Sequence, residues 1–320
     1  MGQIRLMKIL ITGTTGFTGA CLARYILERT DWEVFSLERI SMHPGQLPPA
    51  LFANTRLHRI YHDFRTELPE RLLRQLEGVD YIVHIGAEVH GLRSLENPEL
   101  FVHTNVMGTF NMLEAARRIK PKAFIYLSSA EAVGATATGS LNEDAAMNPS
   151  NPYAAAKAAG EMLVRSYFLS FGVPAMTVRT MNIFGEQQDT SKFLPATIKK
   201  VLNGETVTCH VDANGKSGSR HWIYVGELVK ALNNLLIWGT AGETYHVVGP
   251  EIFNSAIIET VYKVLGIEMD VKLAQPGPSH DMRYSIVDTK LSTIAYDPSN
   301  TDWEMKNTVE WYASNREWLT

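Results

Sequence analysis

Lys8-Ile9-Leu10-Ile11-Thr12-Gly13-Thr14-Thr15-Gly16-Phe17-Thr18-Gly19 is the stretch on which the fold turns. Its first five residues make a short run suited to a buried strand. The glycines then follow a GxxGxxG spacing and open a helical pattern that continues to about Arg29. Glycine lets such a turn be tight and lets a pyrophosphate approach the backbone. The helix start adds free N–H groups and the positive end of a dipole. Taken alone, the string could be a plain strand–helix connection, so what surrounds it matters.

Further strand patterns lie at 33–37, 57–61, 81–85, 123–128 and 175–179, with helical patterns at about 69–76, 98–119 and 153–171 among them. This alternation predicts an α/β fold: a doubly wound parallel sheet with helices on both faces, of Rossmann type. After Arg179 turn residues become frequent, as in Asn203-Gly204, Asn214-Gly215 and Ser217-Gly218. Residues 1–180 are therefore expected to form a dinucleotide-binding domain, with segments returning near 220–250, notably at 245–248. Residues 181–320 are expected to form a smaller α/β substrate-binding lobe.

Composition excludes several classes. With 320 residues and a formal net charge of −4, the chain has no general basic face for nucleic acid. An anionic substrate would need a few placed cations. Cys21 and Cys209 are far apart and lack metal-ligand spacing, so both read as reduced thiols and no metal site is expected. No apolar run is long enough to span a bilayer and no secretory leader is legible. A cytoplasmic protein without membrane association is expected, with the start left open between Met1 and Met7.

Glu38 ends the second strand, about 20 residues beyond the turn, where an acidic side chain can bond the adenosine ribose and repel a 2′-phosphate. That favours NAD over NADP, although the adjacent Arg39 pulls the other way. Asp63, just past the third strand, could meet the adenine edge or simply be a turn aspartate. Tyr153-Ala154-Ala155-Ala156-Lys157 opens a helix, and its i,i+4 spacing puts both polar side chains on one face. A nearby ammonium would lower the tyrosine pKa and let it take a proton from an alcohol. Ser128 and Ser129 end the fifth strand, where doubly wound sheets place ligands.

Glycine turn, serine pair and YxxxK, in this order, resemble the extended short-chain dehydrogenase/reductase family. Within it the chain resembles the NAD-dependent nucleotide-sugar epimerases and dehydratases, with its nearest look to the dTDP-glucose 4,6-dehydratases. Four stretches carry this: Ala87-Glu88-Val89-His90-Gly91-Leu92-Arg93-Ser94, Asn105-Val106-Met107-Gly108-Thr109, Ser279-His280-Asp281-Met282-Arg283-Tyr284, and Thr308-Val309-Glu310-Trp311-Tyr312 running to Trp318. The resemblance implies bound NAD, a nucleoside-diphosphate sugar as substrate, and a homodimer built on the helices at 98–119 and 153–171. It implies Tyr153 as base, Lys157 as its activator and a ribose ligand, and Ser129 as the catalytic serine. Around the cofactor it implies Gly13, Gly16, Phe17, Thr18, Gly19, Glu38, Asp63, Phe64, Gly86, Ala87 and Asn105. For the substrate it implies Glu88, His90 and Asn182, with Lys192, Arg220 and Arg283 as cations for the diphosphate.

One position departs from the family pattern. The dehydratases carry an aspartate and then a glutamate after the Ser/Thr, and here Ala130 stands before Glu131. Oxidation at C4 acidifies the C5 proton, which Glu131 can remove, but water leaving C6 is helped by an acid that alanine cannot supply. Glu131 could shuttle that proton itself, or His90 or Glu88 could help. Alternatively the outcome is 4-epimerisation, which needs no Glu131, or decarboxylation of a hexuronate. A non-sugar alcohol dehydrogenase or a catalytically idle dinucleotide sensor stands further off, because Ser129, Tyr153 and Lys157 occur together.

Overall fold

A computed structural model describes residues 5–39, 51, 53–276, 282–291 and 300–319. Seven strands form one parallel sheet: β1 (Lys8–Thr12), β2 (Glu33–Glu38), β3 (Leu57–Tyr61), β4 (Tyr81–His84), β5 (Ala123–Ser129), β6 (Ala175–Thr180) and the later strand Thr244–His246. Their order places β1 between β2 and β4, with β3 at one edge and 244–246 at the other, beside β6. The chain therefore winds away from β1 in both directions. The crevice at the strands' carboxyl ends is where such sheets hold ligands.

Alternation along the strands supplies both faces. Ile9 and Ile11 point to one side, where they pack with Leu22 and Ile26 of the helix Phe17–Arg29 and with Leu228, Leu232 and Leu235 of Val225–Trp238. Leu10 points to the other, with Leu72, Met112, Leu113 and Val164 from three further helices. The expected doubly wound α/β fold is thus present. The segment expected to return near 245–248 does so as the edge strand Thr244–His246.

The pattern at 98–119 is helical throughout but not uniform. Pro98–Val102 and Gly108–Ile119 are α-helical, and His103–Met107 between them forms a π turn. Such bulges re-aim side chains, and this one contains Asn105. Asn151 caps the helix Pro152–Phe171 by accepting from Ala154 N–H, Pro152 fills its first position, and Gly172 ends it at φ +67°. Beyond β6 the strands come in short pairs. Ile183–Phe184 pairs with Ile223–Tyr224, Ser219–His221 with Glu251–Phe253, and Val207–His210 with Val271–Ala274. A separate core of Phe184, Leu194, Trp222, Val261, Val309 and Tyr312 holds them.

Two buried histidines stitch the large sheet. His84 Nδ1 lies 2.8 Å from Thr12 Oγ1, and its Nε2 lies 3.2 Å from Thr109 Oγ1. His246 Nδ1 donates to Val287 O at 2.9 Å. Burial pulls His84 down to about 3 and His246 down to about 4. Both folded values lie below the unfolded one, near 6.5. Their contribution to stability is therefore full above pH 6.5 and is lost as pH falls toward the folded values. Between pH 6.5 and 4.5 the loss is expected to reach roughly 4 kcal/mol for the two together. A melting temperature that stays flat from pH 7 to pH 5 would contradict this.

Candidate active site

The turn after β1 has the shape the glycines imply. Gly13 sits at φ +75°, and a Cβ there would lie 2.8 Å from Gly86 Cα. A Cβ on Gly19 would lie 2.2 Å from Gly13 O, so the helix packs directly on the turn. Gly16 N–H donates to Gly13 O at 3.0 Å, and Gly16 caps the helix without a side-chain bond. The N–H groups of its first turn, at Phe17 and Thr18, thus have no intrahelical partner and fit a dinucleotide's pyrophosphate.

Around this turn other groups are fixed by the protein itself. Glu38 is 1% exposed, accepts from Ser36 Oγ, and is held by Arg59 of β3, with Nε at 3.1 Å from each oxygen and NH2 at 2.7 Å from Oε2. Arg39 does not pair with it; its guanidinium faces Glu88 at 3.6 Å. Asp63 is gripped by Arg65, whose guanidinium and N–H hold the carboxyl below its ordinary value although burial opposes this. Phe64 lies under Gly86 and Gly108, where a Cβ would come within 2.7 and 2.6 Å of its ring.

Asn105 departs from its expected role at the cofactor. Its amide clamps the Glu88 backbone, accepting from Glu88 N–H at 2.8 Å and donating to Glu88 O at 2.9 Å. It therefore sets the path of the Gly86-Ala87-Glu88 loop. The Glu88 carboxylate, expected at the substrate, faces Arg39 and Arg93 instead.

Ser129, Glu131 and Tyr153 come together. Ser129 ends β5, its Oγ accepts from Glu131 N–H at 3.2 Å, and its side chain stands close enough to the Tyr153 hydroxyl to lower its pKa. Asn151 donates from Nδ2 to Glu131 Oε2 at 3.1 Å. Lys157 corrects the expectation drawn from spacing. Its Nζ donates to Leu127 O at 2.8 Å and sits 4.9 Å from the Tyr126 ring centre. Burial, and next the charge of Glu131, hold the Tyr153 hydroxyl above its ordinary value; the Ser129 bond opposes them. In this arrangement the serine favours the phenolate, and the ammonium is held by the Leu127 carbonyl.

His90, Gly91, Leu92, Leu95, Glu131, Asn151, Met181, Asn182, Arg220 and Tyr284 line one cleft. Two of its residues hold left-handed backbone, His90 at φ 143° and Asn182 at φ 31°, and such strain persists where the surroundings enforce it. Burial first, then Lys192, lower the His90 pKa, with the Ser191 backbone opposing them. Lys192 is lowered first by burial, with Asp189 and Glu131 opposing, and it is not among the residues that line this cleft. Arg220 donates to Met282 O at 2.8 Å and lies over the Tyr284 ring. Arg283, expected to meet the diphosphate, is not brought to the cleft. It forks onto Glu251 at 2.7 Å with both Nε and NH2 and donates to Gly139 O at 2.6 Å. His280 and Asp281 lie outside the described residues.

Sequence reading missed Asn151, Met181 and Tyr284 as cleft residues. Asn151 was discoverable, since an Asn-Pro pair opening a helix is an N-cap signal. It missed Arg59 too, because nothing local marks a β3 arginine as the partner of Glu38.

Comparison with known proteins agrees with this geometry. Residues 9–249 match the model of the NAD dependent epimerase/dehydratase family. The chain is 33% identical over 98% of its length to a dTDP-glucose 4,6-dehydratase of Streptomyces niveus, of which 94% is covered. It is 34% identical over 95% of its length to a low-salt glycan biosynthesis protein of Haloferax volcanii, of which 96% is covered. A crystal structure of dTDP-glucose 4,6-dehydratase from Streptomyces venezuelae, with NAD bound, superimposes with a TM-score of 0.91 at 30% identity, covering 98% of this chain and all of that one. Epimerases share the fold at lower identity, as in a UDP-glucuronic acid 4-epimerase of Bacillus cereus (TM-score 0.88, 23% identity, covering 97% of this chain and all of that one). With its glycine turn, a family match across most of its length and relatives of 33–34% identity, the chain belongs to the NAD-dependent epimerase/dehydratase family.

Proposed function

We propose that this enzyme binds NAD and converts a nucleoside-diphosphate hexose by 4,6-dehydration. The observation that carries the reading is the meeting of Ser129, Tyr153 and Glu131 beside one cleft. The relatives named as dTDP-glucose 4,6-dehydratases support it. Gly13, Gly16, Phe17, Thr18 and Gly19 would hold the pyrophosphate, Glu38 the adenosine ribose, and Lys157 the second ribose. NAD supplies a reversible acceptor for the C4 hydrogen and its electron pair. Tyr153, aided by Ser129, takes the C4 hydroxyl proton. Glu131 removes the C5 proton that the new ketone has acidified.

Ala130 shapes the elimination. It is fully buried and packs with Met181, Tyr284 and Ile286, so no acid reaches C6 from that position. In our reading Glu131 carries the proton from C5 to the departing C6 oxygen. Ala130 is also what keeps 4-epimerisation as a second reading, since that outcome needs only Ser129, Tyr153 and a keto-sugar that turns over. Arg220, Asn182 and Lys192 are assigned to the diphosphate, with residues 181–320 as the substrate-binding part. Arg283 is assigned to bracing that part through Glu251.

Exposed Val102 and Met107 on one helical run, and Met162 and Leu169 on Pro152–Phe171, support a homodimer across those helices. A solution mass equal to one 35.8 kDa chain would overturn that. Among the described residues no helix is long and apolar enough to cross a membrane, and a cytoplasmic location is part of this proposal.

The test is mass spectrometry after incubation with dTDP-, UDP-, GDP- and CDP-hexoses. Loss of one water is expected. An unchanged mass with altered stereochemistry would replace dehydration by epimerisation, and loss of carbon dioxide from a hexuronate would replace it by decarboxylation.

A further inference from the structure

Behind the catalytic pair lies a buried ion pair that the reaction does not use. Glu161 stands one turn past Lys157 on the same helix, and Arg179 reaches it from β6. Arg179 Nε lies 3.1 Å from each Glu161 oxygen and NH2 lies 2.9 Å from Oε2. Ser128, next to Ser129, donates to Glu161 Oε1 at 2.5 Å. Arg179 NH1 continues outward, donating to Glu143 O at 3.0 Å and facing His246 Nε2 at 3.3 Å. Glu161 and Arg179 are each 3% exposed, so neither is offered to a substrate.

An ion pair this deep is a poor stabiliser. Desolvating both charges costs about as much as their attraction returns, and apolar pairs of similar size often hold a fold as well or better. Its place beside Lys157 gives it another use. Lys157 is itself 3% exposed, and it settles at about 7 because burial draws it down further than its neighbours draw it back. Glu161 is the group that draws it back up. The other titratable neighbours offer no compensating charge. Tyr153 shares its helix, Tyr126 presents its ring from β5 with a hydroxyl that burial keeps neutral, and His84 on β4 is neutral for the same reason.

We propose that Glu161, fixed by Arg179 and Ser128 one turn along the helix from Lys157, is a positioning residue that favours the charged form of the amine. The proposal rests on the reading in which Lys157 holds a ribose of NAD. Without Glu161 the amine would lose its proton below the neutral range, and with it the charge-assisted bond to the ribose hydroxyls.

The experiment measures NAD affinity of the full-length protein against pH, before any sugar is added. For the native protein the affinity is expected to fall as pH rises through the lysine's titration. In Glu161→Gln that fall should move to lower pH by about one unit or more, the shift that loss of an adjacent opposite charge produces. Glu161→Asp, which keeps the charge, should restore the native profile. Affinity lowered equally at every pH, with the fall unmoved, would overturn the proposal. If Glu161→Gln does not fold, the double variant Glu161→Met with Arg179→Met replaces the pair by apolar side chains and should move the fall in the same direction by less, because the Arg179 cation is lost too. Failure of both variants to melt cooperatively would assign the pair to folding alone and also overturn it. A displaced fall in a protein that turns over no nucleotide sugar would sink the sugar reading and leave this one standing.

Discussion

Tyr153→Phe is expected to cut turnover of a nucleotide sugar by about 10²–10⁴-fold, the usual worth of a positioned general base, while NAD stays bound. The substitution removes one oxygen and little else. The ring is 8% exposed and packs edge-on against Phe101 at 6.2 Å between centres, so phenylalanine fills the same space. No buried partner is stranded, because Ser129 keeps its bond from Glu131 N–H. The glycine turn lies on another part of the crevice and is untouched. Cofactor content, read by chromatography of the denatured protein, should match the native enzyme while the rate collapses. Near-native activity would remove Tyr153 from the mechanism. The raised Tyr153 hydroxyl adds a condition. The free enzyme holds its base in the wrong protonation state at neutral pH, and the phenolate must be favoured when ligands are in place.

Glu131→Gln should separate the steps. It removes the acceptor for the C5 proton, so dehydration should fall by about 10²–10⁴-fold. Proton loss at C4 does not pass through this residue, and it should become easier. The Glu131 charge is the second cause holding the Tyr153 hydroxyl up, and an amide in its place lifts that burden. Incubation in deuterated water gives the readout. Native product should carry deuterium taken up after C5 proton removal, and sugar recovered from the variant should carry none there. Epimerase activity, if present, should survive. Full dehydration by the variant would move the base elsewhere in the cleft, with His90 the next candidate by position.

The fold was readable in the sequence because its signals were local. Central strands such as β1 and β4 announced themselves by short apolar runs, and alternation such as Ile9-Leu10-Ile11 already assigned side chains to the two faces. Asn151 and Gly172 marked the ends of the Tyr153 helix with residues suited to caps. The site was less readable, because its contacts cross the sheet. Nothing near Glu38 reveals that Arg59 will hold it. The YxxxK spacing places Lys157 on the face of Tyr153, yet the carbonyl that takes its ammonium belongs to Leu127, 30 residues earlier. Arg283 resembled a substrate cation because its neighbours matched the family, and Glu251 claimed it through a fork that no periodicity encodes. The π turn was hidden for a similar reason: Asn105 is an ordinary helical residue until its amide meets the Glu88 backbone.

The edge strand Thr244–His246 bears on how the protein is made. A ribosome delivers β1 through β6 by residue 180, but the parallel neighbour of β6 is more than sixty residues further along. Until it emerges, the nascent sheet exposes β6 as an open edge, the kind of surface that invites pairing with another chain. The same strand brings His246 to Arg179, and Val287 and Thr289 close over His246 and Glu143 later still. The ion pair behind the catalytic helix is thus among the last parts of the sheet to be enclosed. Vectorial synthesis would build the cofactor turn early and the surroundings of its chemistry late.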